Sequence, residues 1–259
     1  MLKRNPILIL HLVIGILVGG TTFSTWAATN GAARVRVTTA GDLFAGGGNV
    51  EITEPVKGDA FIAAGRVILS QPIGGDAFIA GGNVRVDQNV AEGLFAVGAN
   101  VAIEGDIGRH ARVAGGDVTI ARGATVNGKA TLGGAHVEVA GRVGKDLTIA
   151  ADSARVNGQI DGNVDISARH IELGPEAVIL GKLTYWSPQE ATIDSAARIA
   201  GGADYRPITM PEGAHTAGIV ALMMGKVFLL IGLMVMGSLL VLLFPNFTGT
   251  VETAFTSHP

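Results

Sequence analysis

A chain of 259 residues with 38 glycines, 5% aromatic residues and no cysteine departs from the composition of an ordinary mixed globule and excludes a disulfide framework. Its formal net charge of -3 lacks the basic excess that nucleic-acid binding requires, so nucleic acid is not an expected partner.

At the start of the chain, Lys3 and Arg4 precede an apolar run from Pro6 to Val18, and Thr25-Trp26-Ala27 offers a small-x-small site before Ala28. This is the pattern of an export signal over residues 1–27, either a cleaved signal peptide or an uncleaved signal anchor. In both forms the charged end stays in the cytoplasm and the chain beyond the apolar run is exported. Residues 28–40 form a short lead and partial first coil, with Val35-Arg36-Val37 expected as its partial strand.

From Gly41 to residue 206 one unit repeats. Its anchor is a polar residue followed by apolar, any, apolar: Asn49-Val50-Glu51-Ile52, Arg66-Val67-Ile68-Leu69, Asn83-Val84-Arg85-Val86, Asn100-Val101-Ala102-Ile103 and Asp117-Val118-Thr119-Ile120, each 17 residues from the last. The pattern continues at His136-Val137, Ser153-Ala154, His170-Ile171 and Glu190-Ala191, at intervals of 19, 17, 17 and 20. Nine copies at such a period signal a stacked array.

Each copy reads as three short strands. The first places Leu43 and Ala45, Ala60 and Ile62, Ala77 and Ile79, Leu147 and Ile149, and Val164 and Ile166 on one face; the second places Val84 and Val86 and their equivalents. The third gives one apolar residue per copy: Val56, Ile73, Val90, Ile107, Val126, Val143, Ile160 and Ile179. Five inward positions per coil suit a thin triangular β-helix, in which stacking buries a core that no single coil could bury. Extra residues at Ala121-Arg122-Gly123-Ala124 and Gly174-Pro175-Glu176-Ala177 lengthen two coils, by loops that look too short to wall a cleft.

Residues 207–216 read as a linker between Pro207 and Thr216. Residues 217–244 are apolar apart from Lys226, and the uncharged stretch from Val227 to Phe244 is long enough for a membrane-spanning helix. Gly218, Gly225 and Gly232 recur every seven residues and would let another helix approach closely. Residues 245–259 are a short tail.

Three columns of side chains are candidates for function. Phe44, Phe61, Phe78 and Phe95 occupy the middle of the first strand, so alternation points them outward as a ladder, either a contact surface or a strip covered by a local segment such as residues 28–40. The polar corner, Asn49, Arg66, Asn83, Asn100, Asp117, His136, Ser153, His170 and Glu190, stacks along one edge. His136 and His170 are two coils apart, about 10 Å at a strand spacing near 4.8 Å, too far to share a zinc ion. Asp42, Asp59 and Asp76 form the third column, read as turn residues bonding nearby backbone amides, with calcium as the alternative for stacked carboxylates.

Two stretches carry a family resemblance. Val118-Thr-Ile120-Ala-Arg-Gly123-Ala124-Thr-Val126-Asn-Gly128-Lys129 and Ile171-Glu-Leu173-Gly174-Pro175-Glu176-Ala177-Val178-Ile179-Leu-Gly181-Lys182 resemble the rungs of bactofilins. The resemblance spans roughly residues 35–205. It implies a right-handed single-stranded β-helix that polymerises end to end without nucleotide. The export signal and the membrane segment depart from the usual cytoplasmic type and match the membrane-attached, polymer-forming relatives better.

No G-x-S-x-G or H-E-x-x-H occurs, and the glycine-rich stretches lack a following helix, so no catalytic residue, cofactor or metal is expected. A left-handed acyltransferase helix is disfavoured, since the x-V-x-V strand has two inward residues and no loop carries a catalytic histidine. The expectation is an all-β, right-handed β-helix of about nine coils with a C-terminal transmembrane helix. It would act as a self-associating scaffold in the bacterial inner membrane, with the β-helix on the periplasmic side. The alternative is a solenoid that binds an envelope glycan or protein through the polar column.

Overall fold

The computed structural model describes residues 34–39 and 41–208, all as strands, turns and bends. The expected export signal, membrane segment and tail, and the linker from residue 209 on, lie outside the described residues. Among the described residues no helix is long and apolar enough to cross a membrane.

The chain opens with β1 (Arg34–Val37), followed by five ten-residue strands, β2 (Leu43–Ile52), β3 (Ala60–Leu69), β4 (Ala77–Val86), β5 (Leu94–Ile103) and β6 (Ala111–Ile120). Next come β7 (Thr125–Val126), β8 (Ala130–Val139), β9 (Arg142–Val143), β10 (Leu147–Val156) and β11 (Gln159–Ile160). The last coils hold β12 (Val164–Ser167), β13 (His170–Leu173), β14 (Val178–Ile179), β15 (Leu183–Ser187), β16 (Thr192–Ile193), β17 (Arg198–Ile199) and β18 (Ala203–Pro207).

From β2 onward every pairing is parallel and joins equivalent residues of successive coils, such as Val50 with Val67 and Val67 with Val84. The long strands and their C-terminal successors make one sheet of thirteen strands, and the short strands β7, β9, β11, β14 and β17 make a second. Bridges Val56–Ile73–Val90–Ile107–Val126 carry the second sheet through the first coils. The result is a β-solenoid of nine complete coils, with β18 opening a tenth.

The inward columns are those expected from alternation. Val84, Val86, Leu94, Ile103 and their equivalents as far as Ile171, Leu173 and Leu183 are buried, and the third-face column from Ile73 to Ile179 is buried throughout, each such large apolar side chain adding about 1.5–3 kcal/mol. The expected separation of first and second strands differs in detail. In the coils from β2 to β10 they run together as one ten-residue strand, and in the next two coils they separate, into β12 and β13 and then β15 and β16. Within β4 the buried positions are the first, third, eighth and tenth, so the in-out alternation reverses between Ile79 and Val84. The backbone bends there at Gly81-Gly82 while neighbouring coils stay hydrogen-bonded. Small residues are needed at this bend, because a Cβ on Gly98 would lie 2.8 Å from the Gly81 carbonyl oxygen of the preceding coil. Further along, the same corner turns inward and is filled by buried Ala151, Ala168 and Ser187, whose hydroxyl donates to the Arg169 carbonyl at 3.1 Å.

One expectation is corrected. Val35-Arg36-Val37 does not begin a parallel coil. β1 runs antiparallel to β2, pairing Val35 with Ala45 and Val37 with Leu43. The return is tight: the Thr38 hydroxyl accepts from the Asp42 amide at 3.0 Å, and the Gly41 amide donates to the Thr38 carbonyl with Gly41 at φ +92°. A positive φ suits glycine.

Candidate interaction surface

The outward side of β2 to β5 carries the phenylalanine ladder. Phe44, Phe61, Phe78 and Phe95 are register partners in successive coils. Their rings stack with centroids 4.9, 5.0 and 4.8 Å apart and planes within 9°. The spacing is that of the strands themselves, so the backbone ladder holds the rings at stacking distance. Phe61 is 37% exposed and the other three are partly buried. The neighbouring outward column is Gly46, Ala63, Ala80 and Val97, with Val97 51% exposed, so the strip is flat and apolar.

An arginine stands at each end of the ladder. Arg112 takes the ladder position in β6, with its guanidinium 5.3 Å from the Phe95 centroid. At the other end Arg36 is opposite Phe44 across the β1–β2 pair. Of the lead that was a candidate cover for the strip, Arg34–Val37 extends the sheet at its edge and does not lie across the rings.

The polar column is in register from Asn49 through Arg66, Asn83, Asn100, Asp117, His136 and Ser153 to His170. The Asn100 side-chain amide donates to Asn83 Oδ1 at 2.7 Å, and His136 Nδ1 lies 3.1 Å from Asp117 Oδ1. Ser153 separates His136 from His170. Ser153, His170 and Glu190 line a shallow depression of about 130 Å³ together with Arg169 and Glu172.

The acidic column does its bonding between coils. The Asp59 amide donates to Asp42 Oδ1 at 3.1 Å, the Asp76 amide to Asp59 at 2.8 Å and the Gly93 amide to Asp76 at 2.7 Å. Each carboxylate therefore bonds a backbone amide, that of the next coil's corner, and Asp42 also accepts from the Thr38 hydroxyl of its own turn. The same stitch recurs from Asp146 to the Asn163 amide and from Asn163 to the Lys182 amide. A second corner repeats it from Asn89 through Asp106 to Thr125. Among the described residues no group of three or more His, Cys, Asp or Glu side chains is placed to hold a metal ion.

The two inserted turns border an open depression and, as their length suggests, do not enclose a cleft. They lie three coils apart on the same corner, and Arg122 of the first forms an ion pair with Glu176 of the second. The intervening coils have no insertion there, which leaves a groove of about 260 Å³ floored by Ala140, Gly141 and Gly158 and flanked by Thr125, Arg142, Asn157 and Gln159. The sequence signal was present: both insertions fall between the second and third strands, so counting coils stacks them.

Charge on the outer surface is paired along the solenoid axis. Arg109–Glu92, Lys129–Asp146, Arg142–Asp161, Arg155–Glu172, Arg169–Asp152 and Lys182–Asp204 all join adjacent coils. The Lys129 hydrogen bond, helped by the Asn163 amide, holds the Asp146 carboxyl below the usual carboxylate range. Hydrogen bonds from Gln159 and Arg142 do the same for Asp161.

Compared with known proteins, the chain matches no family model, no curated protein and no solved structure.

Proposed function

We propose that this chain is an exported, membrane-anchored scaffold of the bactofilin-like type, a right-handed β-helix that self-associates or polymerises on the periplasmic side of a bacterial inner membrane. The observation that carries the reading is the C-terminal coil. The outer edges of β16, β17 and β18 have no ladder partner among the described residues. Ile193 is 38% exposed and Ile199 and Tyr205 are partly exposed, whereas Leu173, Ile179 and Tyr185 directly above them are buried. A flat edge with incompletely buried apolar columns is a template for adding strands. Residues 217–244 supply the anchor and residues 1–27 the export signal in this reading. No catalytic role, cofactor or metal is assigned.

Electron microscopy and sedimentation of the full chain in detergent test it. Assemblies that lengthen with protein concentration are expected, and a monodisperse monomer at high concentration would overturn self-association. An export reporter fused after residue 210 checks placement, and activity on the cytoplasmic side would overturn the exported orientation.

A second reading, recognition of an envelope glycan or protein by the polar column, is favoured by the depression that Ser153, His170 and Glu190 share. Envelope material captured by the protein and lost on His136→Ala with His170→Ala would favour it over the scaffold.

A further inference from the structure

The outward first face of β2 to β5 is a ridge beside a groove. Phe44, Phe61, Phe78 and Phe95 form the ridge, and two residues on in each strand Gly46, Ala63, Ala80 and Val97 form a column of smaller side chains. Ring stacking at 4.9, 5.0 and 4.8 Å keeps the ridge straight over four coils. Phe61 is 37% and Val97 51% exposed, and Ala63 and Ala80 are exposed with them. Two residues before the rings, Asp42, Asp59 and Asp76 make an acidic rim. Past the bend on the other side, Asn49, Arg66, Asn83 and Asn100 make a polar one.

Two copies meeting through this face can be related by a twofold axis that runs along the solenoid or across it. With the axis along the solenoid the copies are parallel, and equivalent coils meet at one height. The two columns then exchange sides. Each ring lies over the smaller residue of the same coil, Phe61 of one copy over Ala63 of the other and Phe78 over Ala80. The acidic rim of each copy faces the polar rim of the other, with Asp59 and Arg66 in one coil. With the axis across the solenoid the copies are antiparallel, ring falls on ring, and Asp59 falls opposite Asp76. Shape and charge both favour the parallel arrangement.

Four coils at about 4.8 Å and four residue steps at about 3.3 Å give the strip an area of about 250 Å² per copy. A stable complex buries about 800 Å² per partner, so this contact suits copies already concentrated side by side. Two chains anchored in one membrane through residues 217–244, as read above, meet that condition. Each anchor follows the last coil, so such copies stand parallel.

We propose that the phenylalanine strip is the docking surface for the same strip of a second copy anchored in the same membrane, ridge into groove, about a twofold axis along the solenoid. The proposal rests on the self-association and anchorage proposed above. It adds a lateral contact distinct from the edges of β16, β17 and β18.

The chain has no cysteine, so one introduced thiol reports the contact. Full-length Val97→Cys in phosphatidylcholine vesicles is expected to cross-link to itself through a short bismaleimide. An antiparallel contact would bring Val97 of one copy to Gly46 of the other and hold the two Val97 positions about 14 Å apart along the axis. Cross-linking of Val97→Cys only when mixed with Gly46→Cys would therefore overturn the proposal. Added to Val97→Cys, Ala80→Phe fills the groove and is expected to lower the yield about tenfold. Adding Phe78→Ala as well exchanges ridge and groove in that coil and is expected to restore the yield, which a folding defect would not do. A yield indifferent to Ala80→Phe, or no recovery in a double variant that keeps its β-sheet circular dichroism, would overturn the ridge-in-groove contact. Assemblies that lengthen in detergent without any Val97→Cys cross-link in vesicles would overturn the strip contact and leave self-association standing, and monomers in both would overturn both.

Discussion

The phenylalanine ladder makes a graded prediction. Phe78 stacks on Phe61 at 5.0 Å and on Phe95 at 4.8 Å, whereas Phe44, at the end, stacks only on Phe61. Substitution by leucine keeps most of the apolar contact and removes the ring pairs. A ring pair is worth about 0.5–1.5 kcal/mol beyond its buried area. Phe78→Leu should therefore cost about 1–3 kcal/mol and Phe44→Leu about half as much. Urea unfolding of the full chain in detergent, followed by the β-sheet signal in far-ultraviolet circular dichroism, measures both. A double-mutant cycle on Phe61 and Phe78 should return a coupling of about 0.5–1.5 kcal/mol, the value of their shared pair. Equal losses for Phe78→Leu and Phe44→Leu, or a coupling near zero, would refute the idea that stacking holds the strip together. The ladder would then be four independent side chains placed at stacking distance by the backbone.

Further predictions address the corners and the charge pairs. Gly158→Ala should lower stability by about 1–3 kcal/mol, because its Cβ would run into the Gly141 carbonyl oxygen and force two coils apart; an unchanged urea midpoint would contradict that close approach. Asp59→Ala should cost about 1 kcal/mol by leaving the Asp76 amide without its acceptor, whereas Asp59→Asn keeps an acceptor oxygen and should stay near wild type. Equal effects of the two would contradict the coil-to-coil stitch. Asp146 and Asp161 are held below the usual carboxylate range by their hydrogen-bond partners. The stability they contribute is therefore present above the unfolded carboxyl pKa, about 3.9, and lost as pH falls through their lower folded values. Asp146→Asn keeps an acceptor for the Asn163 amide but not the charge, so its stability deficit relative to wild type should shrink as pH drops from about 5 to 2. A deficit constant over that range would mean that the Lys129 pair contributes nothing.

Much of the fold was legible because the repeat constrains register directly. Once Asn49-Val50-Glu51-Ile52 and its copies are aligned, each residue has one partner in the next coil, and the observed pairings keep those intervals. The ladder of Phe44, Phe61, Phe78 and Phe95 was visible for the same reason. Three features were harder to read. The direction of β1 was hidden because Val35-Arg36-Val37 alternates equally well in a parallel or an antiparallel strand; only the bonds of Thr38, Gly41 and Asp42 reverse the chain. The Asp42, Asp59 and Asp76 stitch reads as a set of turns in the sequence, because a carboxylate reaching an amide 17 residues away leaves no local pattern. The groove depends on Arg122 and Glu176, 54 residues apart, meeting across two coils that lack the insertion.

The distribution of charge narrows where a partner can act. Each exposed ion pair contributes little by itself, about 0–1 kcal/mol, but nearly all of those from Glu92 to Asp204 link one coil to another, so the polar surface of the C-terminal coils is largely engaged with itself. The N-terminal coils differ. Their outward first face has no charged side chain between Arg36 and Arg112, and its surface is four stacked rings beside a column of small apolar residues. A partner on this strip would find ring edges and backbone, and it would displace water from apolar surface without breaking an ion pair. A partner at the C-terminal end of the stack would instead find the edges of β16, β17 and β18, which have no ladder partner among the described residues. The strip and this end present different chemistry, and loss of a ring at Phe78 acts on the strip without touching the edges of β16, β17 and β18.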